Sequence, residues 1–283
     1  MKHGMCCNNI VWPGFWWLAL IWALIMAALI MAALIGCGSQ ERQRHTLTIA
    51  GSTSVQPFAE KLAEVYMQRH PELLINVQGG GSSAGILAVQ QGAAQIGTAS
   101  RDLTPDEQEL NDIPIAWDGI AIIVHPDCPL ENLTLPQLRQ IFTGEINNWA
   151  QLGLKPHGIH AITREEGSGT RNAFEELVMG PVEITPAALV QDSNGSVREI
   201  VANDPYALGY ISVGLVNDQV KAVAIDGVTP KTINIKEKRY ELTRHFYFVT
   251  VGPPTGDAKA FIDYVLSRKG QLLLEVEGLV GVQ

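Results

Sequence analysis

From residue 47 onward, short apolar runs alternate with stretches whose apolar side chains recur at helical spacing. Runs at 47–50, 74–77, 96–99, 113–117 and 120–125 have the length of strands, and 160–163, 208–212, 221–225 and 246–251 continue the series. Helical patterns fall at 58–69, 84–91, 135–142, 171–179, 197–202 and 257–266. In the first of them Phe58, Leu62, Val65 and Tyr66 share one face. This alternation predicts an α/β protein whose parallel sheets carry helices on both faces. After residue 37 there is no internal repeat and no low-complexity segment.

The joints between these elements carry the chemistry. Gly51-Ser-Thr-Ser54 follows the first apolar run, and Pro57 stands near the start of the next helix, where a missing N–H costs nothing. Gly79-Gly-Gly-Ser-Ser83 follows the second run, Arg164-Glu-Glu-Gly-Ser-Gly-Thr-Arg171 precedes a helix, and Ser193-Asn-Gly-Ser196 leads into another. Ser, Thr and Asn are ordinary N-caps, so each turn alone predicts only a capped helix. Four of them predict helix starts converging on one anion. The first four amides of a helix lack intrahelical partners, and its dipole favours negative charge at that end. Arg164 adds a planar fork of donors matched to an oxyanion. Ligands in open α/β folds bind beyond the carboxyl ends of strands, where these turns fall.

The N-terminus is of another kind. Residues 10–36 contain no charged side chain, and Lys2 is the only charge before Glu41. That length is enough to span a bilayer. The segment closes in Leu34-Ile-Gly-Cys37, which resembles the lipobox of bacterial lipoprotein signal peptides and implies cleavage before Cys37 and its lipidation. An uncleaved anchor helix, suited to the aromatic cluster Trp12, Phe15, Trp16 and Trp17, is the alternative. Either reading holds the remainder outside the cytoplasm on a bacterial membrane. Residues 1–37 are therefore set aside as the targeting segment and 38–45 as a polar tether. Cys128 is then the one cysteine of the soluble part, without a partner for a disulfide, and reads as a small buried or loop residue.

The 246 residues after Cys37 carry all 29 acidic residues and 19 of the 20 basic ones, a formal charge of −10 against −9 for the whole chain. Their number suits two lobes better than one. The acidity argues against a nucleic-acid partner, which needs a basic footprint. It does not argue against a small anion in a closed cleft. Distant surface charge is screened within about 8 Å at physiological salt, while local dipoles and neighbouring arginines act at contact.

Taken in order, Gly51-Ser-Thr-Ser-Val55, Gly80-Gly-Ser-Ser-Ala-Gly85, Ala99-Ser-Arg-Asp102, Trp117-Asp-Gly-Ile-Ala121, Arg164-Glu-Glu-Gly-Ser-Gly-Thr-Arg171, Ser193-Asn-Gly195 and Gly209-Tyr-Ile-Ser212 resemble the phosphate-binding proteins of bacterial phosphate ABC importers. The likeness covers nearly all of residues 46–283. It implies a two-lobed type II periplasmic-binding-protein fold with a cleft between the lobes. One lobe would comprise 46–121 and 244–283, and the other 122–243, joined by crossovers near 120–125 and 240–248. The helix near 258–265 would return to the first lobe. The resemblance further implies a non-enzymatic function: capture of inorganic phosphate and delivery to the importer's permease, with no cofactor. Carried over by motif, the ligands are Thr53, Ser54, Ser82, Ser100, Arg164, Ser168, Gly169 and Thr170. The chain departs from one branch of the family at Arg101, where that branch has an Asp that accepts the proton of bound hydrogen phosphate. A second arginine should strengthen anion binding but removes that acceptor. Asp118 is the candidate replacement, otherwise a plain Asp-Gly turn; Asp102 is the alternative, otherwise a helix-start residue or partner of Arg101.

The same residues admit other chemistries. Gly81-Ser-Ser83-Ala-Gly85 formally matches a hydrolase nucleophile elbow with Ser83 as nucleophile, and Asp204 or Asp226 followed by His245 supplies a triad order. Gly79-x-Gly81-x-x-Ala84 is a loose dinucleotide fingerprint after the second strand instead of the first. His157 and His160 lack neighbouring Cys or carboxylate ligands and read as loop histidines, with no metal expected. No Walker A lysine motif occurs, so ATP hydrolysis would belong to a partner. Within the fold, sulfate and molybdate are alternative ligands, and phosphate sensing is an alternative role.

Overall fold

The first apolar run extends into strand β1 (His45–Gly51), which pairs in parallel with β2 (Leu73–Gly79) and β3 (Ile96–Ala99). The structure, a computed structural model, describes residues 20–27 and 45–282. Helix α1 (Gln56–Met67) follows β1 and α2 (Ser82–Gln90) follows β2. Pro57 lies in the first turn of α1, and the helix buries Phe58, Ala59, Leu62, Ala63 and Tyr66, one face at spacings of three to four residues. These side chains join Phe246, Phe248 and Phe261 in the core of the first lobe. Each fully buried aromatic there contributes about 2–3 kcal/mol.

The chain then crosses through one long strand, β4 (Asn111–Val124). Beyond it, β5 (Asn132–Leu133), α3 (Leu135–Thr143), β6 (His160–Arg164), α4 (Gly169–Phe174), β7 (Leu189–Gln191), α5 (Asn194–Asn203), β8 (Ala207–Ser212) and β9 (Lys221–Ile225) build the second lobe. Its core centres on Phe142, Trp149, Phe174 and Tyr210, with Phe174 and Tyr210 stacked at 4.1 Å. After α6 (Thr232–Lys236), strand β10 (Thr243–Thr250) returns, and α7 (Gly256–Leu266), α8 (Arg268–Val276) and β11 (Val280–Gly281) finish the chain. Phe261, Ile262 and Val265 of α7 pack with Phe58, Leu62 and Phe248 in the first core.

Two expectations change. The apolar runs at 113–117 and 120–125 are not separate strands but parts of β4. Asp118 and Gly119 interrupt the apolar pattern and read as a turn, yet Asp118 stands opposite Arg244 in the β4–β10 ladder. Gly119 passes a crowded point, where a Cβ would lie 2.7 Å from Ile235 Cδ1 and 2.8 Å from Val213 Cγ2. The sheet is also mixed, not parallel throughout. In the order β2-β1-β3-β10-β4-β8-β6-β7, strand β10 runs antiparallel to β3 and β4, and β4 antiparallel to β8. Period-2 patterns do not encode strand direction, so the reversal belongs to the connections.

The helix predicted over 171–179 starts earlier, at Gly169, because Ser168 Oγ caps it by accepting from Arg171 N. Its last turn widens to π form over Glu175–Met179. In the N-terminal segment, residues 20–27 form a helix with exposed Leu20, Ile21, Trp22, Leu24, Ile25 and Met26. No helix among the described residues is long and apolar enough to cross a membrane. Cys37, the expected lipidation site, and most of the tether at 38–45 lie outside the described residues.

Candidate functional site

The carboxyl ends of β1, β3, β6 and β8 and the first turns of α2, α4 and α5 meet where the lobes face each other. From the first lobe come the turn Ser52-Thr-Ser54, Ser82 at the start of α2 and Ser100 after β3. From the second come Arg164 at the end of β6, the Ser168–Thr170 turn, Asn194 opening α5 and Ser212 ending β8. Asp118 on β4 and Arg244 on β10 enter from the crossover strands. Ser54, Ser82, Ser100, Asp118, Arg164, Ser168, Thr170, Asn194, Ser212 and Arg244 are all buried. So many polar groups persist in an interior only when they are hydrogen-bonded or serve a ligand.

Ser54 is the hub. Its hydroxyl lies 2.7 Å from Thr170 Oγ1 and accepts from Asn194 Nδ2 at 2.9 Å and Arg244 Nη2 at 3.2 Å. Thr53 Oγ1 accepts from Arg164 Nη2 and from Asn194 Nδ2, both at 3.2 Å. Beside them Ser52 Oγ donates to Ser100 Oγ at 2.9 Å, and Ser100 N donates to Ser82 Oγ at 3.1 Å. Gly169 lies against this pair so closely that a Cβ would sit 2.2 Å from Ser82 Oγ and 2.7 Å from Ser100 Oγ. Only glycine permits that approach. The lobes are therefore in contact, a closed arrangement.

Arg164 is 1% exposed and anchored on one side. Nε and Nη2 donate to the two Glu165 oxygens, each at 2.9 Å, and to the carbonyls of Gln191 and Asp192. Its Nη1 has no partner, and it is the one buried side-chain nitrogen or oxygen in that condition among the described residues. A fork held rigidly on one edge with free donors on the other suits a multi-oxygen anion.

Asp118 faces Arg244. Oδ2 accepts from Nε at 3.1 Å and Nη2 at 3.0 Å, and Oδ1 accepts from Ser212 Oγ at 2.7 Å. Burial pushes the Asp118 carboxyl above its ordinary range, against the opposing pull of Arg244 and Ser212. Burial likewise lowers the Arg244 guanidinium, with Asp118 opposing. Removal from water thus weighs more on both partners than their attraction returns.

The sequence-derived residues Thr53, Ser54, Ser82, Ser100, Asp118, Arg164, Ser168, Gly169 and Thr170 come together here. Arg101 stands apart. Its guanidinium pairs with both Glu107 oxygens at 2.7 and 2.9 Å and reaches Ser83 Oγ at 3.3 Å, behind the start of α2. Asp102 accepts from Tyr247 OH at 2.7 Å, so its carboxylate is not the partner of Arg101. Sequence reasoning missed Arg244, Asn194, Ser212 and Ser52 as site residues. Asn194 and Ser212 lay inside quoted motifs. For Arg244 the available signal was a charge just before the apolar run at 246–251, a residue type seldom buried unless paired.

The hydrolase arrangement does not assemble. Ser83 Oγ accepts from Arg101, His245 Nδ1 is bonded to Tyr247 OH, Asp204 pairs with His160, and Asp226 accepts from Leu135 N. His157 stacks on Tyr206. Among the described residues no His, Cys, Asp and Glu group is placed to hold a metal ion.

Residues 38–269 match the family model of the PBP superfamily domain. The phosphate-binding protein PstS of Bacillus subtilis (strain 168) is 37% identical over 237 residues, 81% of this chain and 78% of that one. A solved Clostridium perfringens protein, provisionally described as a phosphate ABC transporter substrate-binding protein with bound phosphate, superposes with a TM-score of 0.81 at 39% identity, covering 84% of this chain and all of that one. The ABC-type phosphate transport receptor of Vibrio cholerae gives 0.69 at 38% identity, over 83% and 99%.

Proposed function

The chain belongs to the PBP superfamily, a family of solute-binding proteins, and from that premise we propose that it captures inorganic phosphate outside the cytoplasm and delivers it to the permease of an ABC importer. The observation that carries this reading is the partnerless Nη1 of Arg164, buried among Ser and Thr hydroxyls and helix starts. An oxyanion supplies what that cluster lacks: acceptors for the free edge of Arg164 and for the helix-start amides. Its relatives named for phosphate favour phosphate among oxyanions.

In this reading Thr53, Ser54, Ser82 and Ser100 hold the anion from one lobe, and Arg164, Ser168, Gly169 and Thr170 from the other. Residues 46–121 and 244–283 act as one rigid body and 122–243 as the second. Phosphate meets one lobe, the other swings in, and donors from both replace its water. Closure is favoured because only the closed form serves the anion from both sides. Arg101 supports the site from behind through Ser83. The closed complex docks on the permease, whose associated ATPase supplies the energy, and no cofactor is needed. Cys37 carries the lipid that keeps the protein at the membrane.

The test is calorimetric titration of the ligand-stripped protein with phosphate and, separately, sulfate at neutral pH. Tight one-to-one phosphate binding supports the reading, and absence of phosphate binding overturns it. For the anchor, metabolic labelling with palmitate should mark the parent chain and not Cys37→Ser; equal labelling would move the anchor elsewhere.

A further inference from the structure

Asp118 is largely engaged as an acceptor. A carboxylate offers about four lone-pair sites. Arg244 Nε and Nη2 occupy both on Oδ2, and Ser212 Oγ takes one on Oδ1. The carboxylate thus serves to neutralise a cation, not as the free proton acceptor that the sequence reading of Asp118 requires. Arg244, in contrast, is directed at the anion site. Besides Asp118 its donors reach Ser54 Oγ at 3.2 Å and the Ser100 carbonyl at 3.3 Å, two residues at the centre of the cleft.

We infer that Arg244 is a specificity-determining residue of the cleft, a second guanidinium whose charge Asp118 cancels, so that the pair limits how much anionic charge the closed site accepts. The inference rests on the phosphate-binding reading and deepens it. The charged groups facing Asp118 and Arg244 are few: Arg164 from β6, itself paired with Glu165, with Tyr210 of β8 and Tyr240 packed nearby. Both guanidiniums are thus matched by carboxylates, Arg244 by buried Asp118 and Arg164 by part-exposed Glu165. Sulfate brings two full charges and no proton to such a balanced site. Phosphate, whose second ionisation lies near neutrality, also offers a singly charged dihydrogen form. Discrimination then arises from the restrained charge of Arg244 instead of from a free carboxylate acceptor.

The two mechanisms separate in one set of titrations with phosphate and sulfate at pH 7, on the parent protein and on Asp118→Asn, Arg244→Met and Arg244→Lys. With Asp118→Asn the uncancelled Arg244 should raise sulfate affinity at least tenfold, and sulfate should raise the melting temperature of that variant more than that of the parent. Arg244→Met should weaken both anions at least tenfold, and Arg244→Lys should restore part of the loss. Combining Asp118→Asn with Arg244→Met should abolish the sulfate gain. The inference is overturned if Asp118→Asn gains no sulfate affinity, if the sulfate gain survives in the double variant, as relief of direct repulsion by a carboxylate acceptor would, or if Arg244→Met binds phosphate like the parent. If Arg244→Met does not fold, Asp118→Asn and Arg244→Lys decide. A parent protein that binds neither anion is a different failure, since it sinks the phosphate reading first and this inference with it.

Discussion

Ser54 Oγ and Thr170 Oγ1 lie 2.7 Å apart, a hydrogen bond between two buried side chains 116 residues apart in the chain and on opposite lobes. Thr170 stands in the first turn of α4 and Ser54 before the first turn of α1, so the contact brings two helix starts face to face. Around it the Ser54 hydroxyl also accepts from Asn194 and Arg244. One hydroxyl therefore ties together both lobes and a crossover strand.

Ser54→Ala should weaken phosphate binding at least about 30-fold, since it strips a buried acceptor from two donors at once, and each such loss costs about 1–3 kcal/mol. Calorimetry checks this, and parent-like affinity would remove Ser54 from the ligand set.

Arg164→Ala should nearly abolish phosphate binding. Lysine should not restore it, because a point charge cannot hold Glu165, two carbonyls and an anion in one plane. Parent-like affinity in either variant would relocate the site.

Closure itself is tested at Gly169. A side chain there collides with Ser82 Oγ and Ser100 Oγ, so Gly169→Val should keep the lobes apart. Phosphate affinity should fall at least 100-fold while the ligand-free melting temperature stays close to that of the parent. Small-angle scattering with and without phosphate should show no compaction in the variant and compaction in the parent.

The Arg101–Glu107 pair makes a prediction about pH. Although burial pushes the Glu107 carboxyl up, hydrogen bonds from Arg101 and the Thr104 amide outweigh it and hold the group below its ordinary 4.5. A depressed carboxyl contributes stability above its unfolded value and loses it as pH falls through the folded one. Glu107→Gln should cost about 2 kcal/mol at neutral pH, and the difference from the parent should shrink as pH drops below 4.5. Denaturant melts across that range decide it, and a pH-independent difference would refute the assignment. Arg101→Met should weaken phosphate binding less than tenfold, because its donors face Glu107 and Ser83.

Much of this protein was decided locally and could be read from residue order. The alternation of apolar runs and helical faces located the strands and helices of both lobes, because burial periodicity is a property of neighbouring residues. Hydroxyl-rich turns before α1, α2, α4 and α5 marked the cleft, because a helix start exposes its amides whatever the rest of the chain does. Helices α6 and α8 and the short strands β5, β7 and β11 escaped that reading, and so did the continuity of β4 across Asp118 and Gly119. Only the tertiary structure decided who pairs with whom. Asp118 and Arg244 are 126 residues apart, and each alone reads as a turn residue or a surface charge. They meet because β4 and β10 run antiparallel in a register that puts them opposite each other, and a buried charge must find its counter-charge in space, not in sequence. The same reason placed buried Arg101 on Glu107, and tertiary contact alone brought Asp102 to Tyr247 and Arg164 Nη2 to Thr53 of the other lobe.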